Sequence, residues 1–422
     1  MKLKKVVYYF FLQAIMLISH VHTQEVISNK KQPLKILFVI NQFPKFLQQF
    51  ILNQITGMID LGHEVHIYAN SKYDKNIPEA VLRYNLLEKT TFRKLPSDHP
   101  DYDILYCHCG PEGYVGLELK KQYNLTGKVV TCFRGDDISH FLLPKANKKR
   151  FKRRGPYQVP CYYPEMYTHL FKKGNLFLPV CDYFKEKLIS LGCKPTKIKI
   201  GHSAIDCNKF NYKEHKLKPH KSINLISTCR LVEKKGLFYS IQAVASLCKK
   251  YPKLHYTIIG DGNQREKLQQ VIDDLGVSDK ISLVGWMEQN QVLHQLLRSH
   301  IFILPAITAK NGDQEGIPNA LKEAMACGLP VISTPHAGIP ELVLDGISGY
   351  LVEEKKVEPI IEKIELLINN PEKIVSMGRA GRHHVEAEFN TATENAKLEA
   401  LFYRLVNQPS KNNNQHEPDL KI

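Results

Sequence analysis

Paired cysteines are missing from this sequence. Ten Cys are scattered singly along 422 residues, with one Cys-x-Cys at 107–109 and no Cys-x-x-Cys, so the spacing of a structural zinc site is absent and no metal is expected. Several lie in apolar runs, as in Ser227-Thr228-Cys229 and Ala324-Met325-Ala326-Cys327, where Cys serves as a small hydrophobe in a reducing compartment. Long apolar runs are scarce too. The one candidate, Val6 to Ile18 behind Lys2, Lys4 and Lys5, continues uncharged to Gln24 but falls short of the ~20 apolar residues that cross a bilayer. It has the charge and length of a signal peptide without a small-x-small cleavage site. Residues 1–24 therefore read as a cleaved signal, an uncleaved anchor or an interfacial helix.

Acidic residues are short in the first half only. Residues 1–216 hold 34 of the 58 Lys+Arg and 18 of the 42 Asp+Glu, a surplus of 34 − 18 = 16, which leaves 24 of each sign for 217–422. Such asymmetry suggests a first half that faces something anionic. With 24 Gly, 23 Pro and 24% charged residues, collagenous, coiled-coil and mainly disordered classes are excluded.

What is present is an alternation of strands and helices. Residues 34–40 (LKILFVI) form a short, continuous, β-branched run of the kind buried in a parallel sheet. Residues 46–61 carry apolar residues at helical spacing and end at Gly62, and EVHIYA at 64–69 is the next strand. DILYCH at 103–108, KVVTCF at 128–133 and NLFLPV at 175–180 repeat the pattern. A polar, basic linker at 211–222 separates this from a second cycle, with strands at 223–229, 255–260, 280–284, 301–305 and 330–333 and helices between them. The fold class is α/β, with two Rossmann-like doubly wound domains facing a central cleft. The expected divisions are 33–215, 216–387, a C-terminal helix at 388–406 packing back on the first domain, and a disordered tail at 407–422.

Three stretches carry chemistry. Arg230 leaves a strand end and Lys235 precedes a helix beginning at Gly236, so two cations and free N–H groups can converge on one anion such as a diphosphate. Ile258-Ile259-Gly260-Asp261-Gly262 ends a strand in Gly-x-Gly, which without a third glycine reads first as a tight turn. In the stretch from Gly312 to Pro330, Pro318 opens a helix and Gly328 closes it, which puts Glu323 inside the helix and Glu315 in the loop before it. Glu323 can accept two hydrogen bonds from vicinal ribose hydroxyls. Its neighbour Lys322 implies that part of this helix face is exposed.

These motifs occur together and in order: Arg230-x4-Lys235-Gly236, Gly260-Asp261-Gly262, Leu283-Val284-Gly285-Trp286, Glu315-x7-Glu323, Gly338-Ile339-Pro340-Glu341 and Gly349-Tyr350-Leu351-Val352. The sequence thereby resembles glycosyltransferase family 4, retaining enzymes of the GT-B fold, over residues 230–352. Phe43-Pro44, Phe50 to Gln54 and Gly62 to Val65 resemble its exopolysaccharide and colanic-acid branch more loosely. The resemblance implies that Arg230 and Lys235 hold a donor diphosphate, Glu323 its ribose, and Glu315 with Gly316, Ile317, Pro318 and Asn319 the transferred sugar. Trp286 and Met287 would lie by the base, with Gly260 and Gly262 in the donor site and no cofactor or metal. Where many members have a His that contacts the donor sugar, this chain has Arg134, which cannot cycle a proton near neutral pH. Asp137 and His108 are the other acceptor or sugar candidates on the first domain, although a lone His after a strand reads first as structural.

The expected function is transfer of a hexose-type sugar from a nucleoside-diphosphate donor to a glycan or lipid-linked acceptor. The alternative is a non-enzymatic glycan- or nucleotide-binding protein that keeps the fold. An oxidoreductase is disfavoured because the first strand runs into Asn41-Gln42-Phe43-Pro44 rather than a Gly-rich loop. Residues 145–154 bring seven cations into ten positions, which points to an anionic membrane surface and, lacking an RNA-binding motif, away from nucleic acid. Sugar nucleotides are expected in the cytosol, so the expected location is the cytoplasmic face of the membrane.

Overall fold

The computed structural model describes residues 32–44, 49–73, 77–139, 151–154, 156–160, 165–218 and 221–408. The signal-like residues 1–24, residues 145–150 of the basic stretch and residues 409–422 of the tail lie outside them. No helix among the described residues is long and apolar enough to cross a membrane.

From Lys35 onward the strands are β1 (Lys35–Phe43), β2 (Glu64–Lys72), β3 (Thr90–Phe92), β4 (Ile104–His108), β5 (Lys128–Phe133), β6 (Phe151–Arg154), β7 (Tyr157–Pro160), β8 (Leu176–Pro179), β9 (Ile223–Thr228), β10 (Leu254–Ile259), β11 (Ile281–Gly285), β12 (Ile301–Leu304), β13 (Val331–Ser333) and β14 (Gly349–Leu351). They make two six-stranded sheets, ordered β3-β2-β1-β4-β5-β8 and β11-β10-β9-β12-β13-β14. Every pair in both is parallel. The strand orders are the same doubly wound pattern, reversing between β1 and β4 in the first sheet and between β9 and β12 in the second. The first strand of each cycle is thus central, which is why LKILFVI is so apolar: Ile36 to Val39, and Ile226 in the second cycle, are fully buried under helices on both faces.

Four strands escape the hydrophobic pattern of the sequence. β3 and β14 have three residues each at sheet edges, too short for a periodicity, and β6 with β7 forms a separate antiparallel hairpin. One apolar cluster runs from Leu37 and Phe133 in the first half through Val180, Cys181 and Phe184 to Ile317, Ile339 and Phe302 in the second. The chain crosses between halves twice at one place, where Ile205 N–H donates to the Phe389 carbonyl at 3.0 Å and Thr391 N–H to the Ile205 carbonyl at 2.9 Å. Helix Thr391–Val406 then lies against helix Gln49–Asp60, with Asn395 Nδ2 donating to the Asn53 carbonyl at 3.1 Å. Phe402, fully buried, meets Tyr106 edge-on at 5.3 Å.

Candidate active site

After β9 the chain makes a 3-10 turn at Glu233–Lys235 and enters helix Leu237–Cys248 through Gly236, whose φ of +66° is left-handed. A Cβ there would meet the Pro305 carbonyl oxygen at 1.8 Å, so only glycine lets the turn press against the end of β12. No side chain caps the helix; Tyr239 N–H turns back to the Gly236 carbonyl at 3.0 Å. Arg230 is exposed. Lys234 and Lys235 are not: both are buried, with Lys235 Nζ 3.0 Å from Glu315 Oε1 and Lys234 Nζ 3.2 Å from the same oxygen. Lys234 also reaches Asp313 at 2.9 Å and, across the cleft, Asp136 at 3.3 Å. Burial would raise the Glu315 carboxyl, but the two ammonium groups outweigh it and hold it down to about 2. Lys234 is correspondingly raised, three carboxylates overcoming its burial.

Glu315 is aimed by a relay through the buried His336. Its N–H donates to His336 Nε2 at 3.1 Å, His336 Nδ1 lies 2.7 Å from Glu354 Oε1, and Glu354 Oε2 accepts from Thr308 N–H at 3.2 Å. An accepting Nε2 puts the imidazole proton on Nδ1, facing the carboxylate. Gly316 is wedged against Val180 and the Arg134 carbonyl, which a Cβ would meet at 2.7 and 3.1 Å. Ile317 is buried in the core, and Pro318 is the N-cap of helix Asn319–Ala326, which no side chain caps.

Glu323, one turn in, is half-buried and borders a recess shared with Phe50, Asn53, Asp206, Gln289 and Asn319. Burial pushes its carboxyl up to about 7, against the pull of Lys322. Lys322 itself overturns the expectation of an exposed face, because it is fully buried. Its Nζ donates to the Ser203 carbonyl and, at 3.1 Å, to Asn319 Oδ1, and stands 5.4 Å over the Phe389 ring. Four methylenes can be packed while the ammonium bonds to oxygens of the crossover, an arrangement no helical periodicity shows.

Gly260, at φ +133°, has the Cys229 carbonyl oxygen 1.8 Å from where a Cβ would be, and Gly262 has the Leu231 carbonyl at 2.4 Å. The protein's own backbone fills the space these glycines free, in keeping with the tight turn. Trp286 is 46% exposed on the following loop, whereas Met287 packs on the core and Glu288 caps helix Gln289–Leu296.

On the first half, Asp137 is occupied by backbone: its oxygens accept from Gly110 N–H at 3.1 Å, Arg134 N–H at 3.1 Å and Gly135 N–H at 3.0 Å. It holds the turn after β5 to the start of helix Gly110–Gln122. His108 is buried between Phe38 and Tyr106, with both ring nitrogens unpartnered among the described residues. Burial, then Arg134, pushes its imidazole well below the usual range, so it is neutral. The Arg134 guanidinium donates to Gln54 Oε1 at 3.0 Å and to Ser203 Oγ and lies 4.3 Å over Phe50. The structure thus gathers Arg230, Lys235, Glu315 and Glu323 along one side of the cleft and adds Lys234, Asp136, Asp313, His336, Glu354 and Lys322, none singled out from sequence as site residues. Lys234 was adjacent to a chosen cation; the others carry no local signal.

Comparison with known proteins gives the chain a family. The model for glycosyl transferases group 1 matches residues 208–384. A colanic acid biosynthesis glycosyltransferase of Salmonella typhimurium, WcaL, is 31% identical over 87% of this chain and 99% of its own length. The amylovoran biosynthesis glycosyltransferase AmsK of Erwinia amylovora is 32% identical over 88% of this chain and all of its own. The crystal structure of Anabaena HepE in complex with UDP superposes with a TM-score of 0.69 at 15% identity, covering 88% of this chain and all of that one, and shares the GT-B fold. The chain belongs to the group 1 glycosyltransferases, alongside the colanic acid and amylovoran enzymes.

Proposed function

We propose that this glycosyltransferase moves a hexose-type sugar, with retention and without a metal, from a nucleoside-diphosphate donor to a glycan or lipid-linked acceptor in exopolysaccharide synthesis. The observation that carries the reading is the ring of charge at the cleft: exposed Arg230, buried Lys235 on Glu315, and two helix N-termini at Leu237 and Asn319 without side-chain caps. In the reaction the bond from the anomeric carbon to the diphosphate oxygen breaks, and its electron pair leaves with the phosphate. Arg230, Lys235 and the helix N-termini stabilise that developing charge in place, which is where enzymes gain most. The acceptor hydroxyl bonds to the same face of the oxocarbenium-like carbon and passes its proton to the leaving phosphate oxygen. Glu323 accepts the ribose hydroxyls, Glu315 orders the sugar end of the donor, and Trp286 offers an exposed face to the base. The UDP held by the Anabaena structure and the names of the colanic acid and amylovoran relatives support this reading. We place the enzyme at the cytoplasmic face of the membrane, where such donors are made, with residues 145–154 toward anionic lipid.

The test is a thermal-shift screen of the full chain against UDP, GDP, ADP, CMP and their sugars, with Arg230→Ala and Glu323→Ala alongside. One nucleoside diphosphate should stabilise the wild type, lose that effect in both variants, and act unchanged in EDTA. No shift at millimolar nucleotide would overturn the donor site and leave a glycan-binding protein.

A further inference from the structure

The loop that carries Glu315 runs from Pro305 to Pro318, between β12 and the helix at Asn319, without helix or strand of its own. Its middle is closed by two turns, Gly312 N–H donating to the Ala309 carbonyl at 2.8 Å and Ala309 N–H to the Asp313 carbonyl at 3.0 Å. Neither turn uses the N–H groups of Thr308 and Glu315, which stand on either side of it. Those are taken by one pair of side chains from further along the chain. Glu354, after β14, accepts from Thr308 N–H on Oε2 at 3.2 Å and from His336 Nδ1 on Oε1 at 2.7 Å. His336, after β13 and only 2% exposed, accepts from Glu315 N–H on Nε2 at 3.1 Å. An acid and an imidazole thus clip both ends of the loop together.

The clip binds backbone where the lysines bind acids. Lys234 and Lys235 hold the loop by the carboxylates of Asp313 and Glu315. His336 instead fixes the peptide that joins Gln314 to Glu315. Gly338 N–H, two residues on, does the same for the peptide after Gly316, donating to its carbonyl at 3.2 Å. An amide N–H can only donate, so Nε2 has to accept, and Glu354 sets that tautomer by taking the proton on Nδ1. We propose that His336 and Glu354 are positioning residues for sugar transfer, which hold the donor loop so that Glu315 and the peptides after it meet the transferred sugar. This rests on the glycosyl-transfer reading and deepens it. Among the described residues neither bonds to Arg230, Glu323 or the helix at Leu237. A loosened clip therefore misplaces the sugar and leaves the nucleotide held, and a displacement of about 1 Å at a reacting group costs about a hundredfold in rate.

The experiment compares two amides at one position of the full chain. In His336→Gln the side-chain oxygen reaches the place of Nε2 and accepts from Glu315 N–H. In His336→Asn it reaches only the place of Nδ1, which keeps Glu354 and leaves Glu315 N–H open. Three quantities are read: hydrogen exchange over residues 306–316, the dissociation constant of the nucleoside diphosphate that gives the largest thermal shift, and the release of that diphosphate from its glucose and galactose conjugates at saturating donor, with water as acceptor. His336→Asn should speed exchange and slow release by at least about tenfold each, His336→Gln should change either by less than about threefold, and both should keep the dissociation constant within about twofold. Equal effects of the two amides on exchange or on release overturn the clip, as does a nucleotide affinity that falls along with the rate. Glu354→Gln, at a side chain 29% exposed, leaves one acceptor for two donors and should also speed exchange; unchanged exchange there overturns the clip even where a His336 variant does not fold. A wild type that neither binds a nucleoside diphosphate nor releases one overturns the glycosyl-transfer reading, and the exchange comparison, which needs no substrate, still decides whether the clip holds the loop.

Discussion

At the scale of single residues, the two carboxylates of the Glu315-x7-Glu323 motif are driven in opposite directions by their surroundings, and pH separates them. Glu315 lies on two ammonium groups and stays ionised to about pH 2, while burial keeps Glu323 protonated to about pH 7. Because the Glu315 value is depressed, its stabilisation is present above the ordinary 4.5 and is lost as pH falls from there toward 2. Because the Glu323 value is raised, the native state keeps a proton that the unfolded chain has released, so this group subtracts stability as pH rises from 4.5 through 7. Ribose hydroxyls donate to a carboxylate better than to its acid. Nucleotide dissociation constants should therefore rise about three- to tenfold on lowering pH from 8 to 6, and Glu323→Gln should flatten that dependence in titration calorimetry. Glu315→Gln leaves Lys235 without its carboxylate, and should lower unfolding free energy by about 2–4 kcal/mol in urea and reduce turnover more than nucleotide affinity. Both motif residues were legible in the sequence because a glycine, a proline and a fixed spacing bracket them. Lys322 was not, since a lysine whose stem packs inside and whose head bonds a carbonyl 119 positions away in sequence looks like any surface lysine.

At the scale of elements, strands and helices were readable wherever a face is buried along its whole length. β1, β4 and β12 are central, and their runs are apolar; β3 and β14 sit at edges with three residues each, and their pairing is decided by neighbours distant in sequence. The turns between strand and helix were readable through glycine, but not what the glycines are for. Gly260 follows β10 at φ +133°, with the Cys229 carbonyl in the space of a side chain. That contact belongs to the ladder that joins the loops after β9, β10 and β11, where Leu231 N–H donates to the Asp261 carbonyl at 2.9 Å and Gly260 N–H to the Gly285 carbonyl at 2.8 Å. An alanine there combines a left-handed penalty of about 1–2 kcal/mol with a backbone collision that must push the loops apart. Gly260→Ala should cost about 3 kcal/mol or more of stability in chemical denaturation and weaken nucleotide binding. Gly276→Ala, also at positive φ but with open space around its Cβ, should cost only about 1 kcal/mol. Equal losses at the two positions would mean that the close approach of the loops contributes nothing.

At the scale of the whole molecule, the two halves are held by a double crossover, a returning helix and a buried charge cluster, and these can be told apart. The returning helix packs Phe402 on Tyr106 of the first sheet, by contact between rings and without an ion pair to the donor loop among the described residues. The charge cluster is different, since Lys234, alone among the described residues, is a buried cation that touches Asp136 of the first half and Asp313 and Glu315 of the donor loop together. Its side chain is 5% exposed, against 55% for Asp136 and 21% for Asp313. Removing the lysine strands acids that remain desolvated, whereas removing Asp136 deletes an exposed partner and leaves the rest of the cluster paired. Lys234→Met should therefore lower unfolding free energy by about 3–5 kcal/mol, and Asp136→Asn by less than about 1 kcal/mol. The same asymmetry should carry into function: with the donor loop released, Lys234→Met should raise the nucleotide-sugar Michaelis constant and slow turnover together, while Asp136→Asn should change either by no more than a few-fold. If Asp136→Asn proved as damaging as Lys234→Met, the weight of the cluster would lie in the contact across the cleft. The donor loop would then owe its position to the first half of the chain, not to the lysine beneath it.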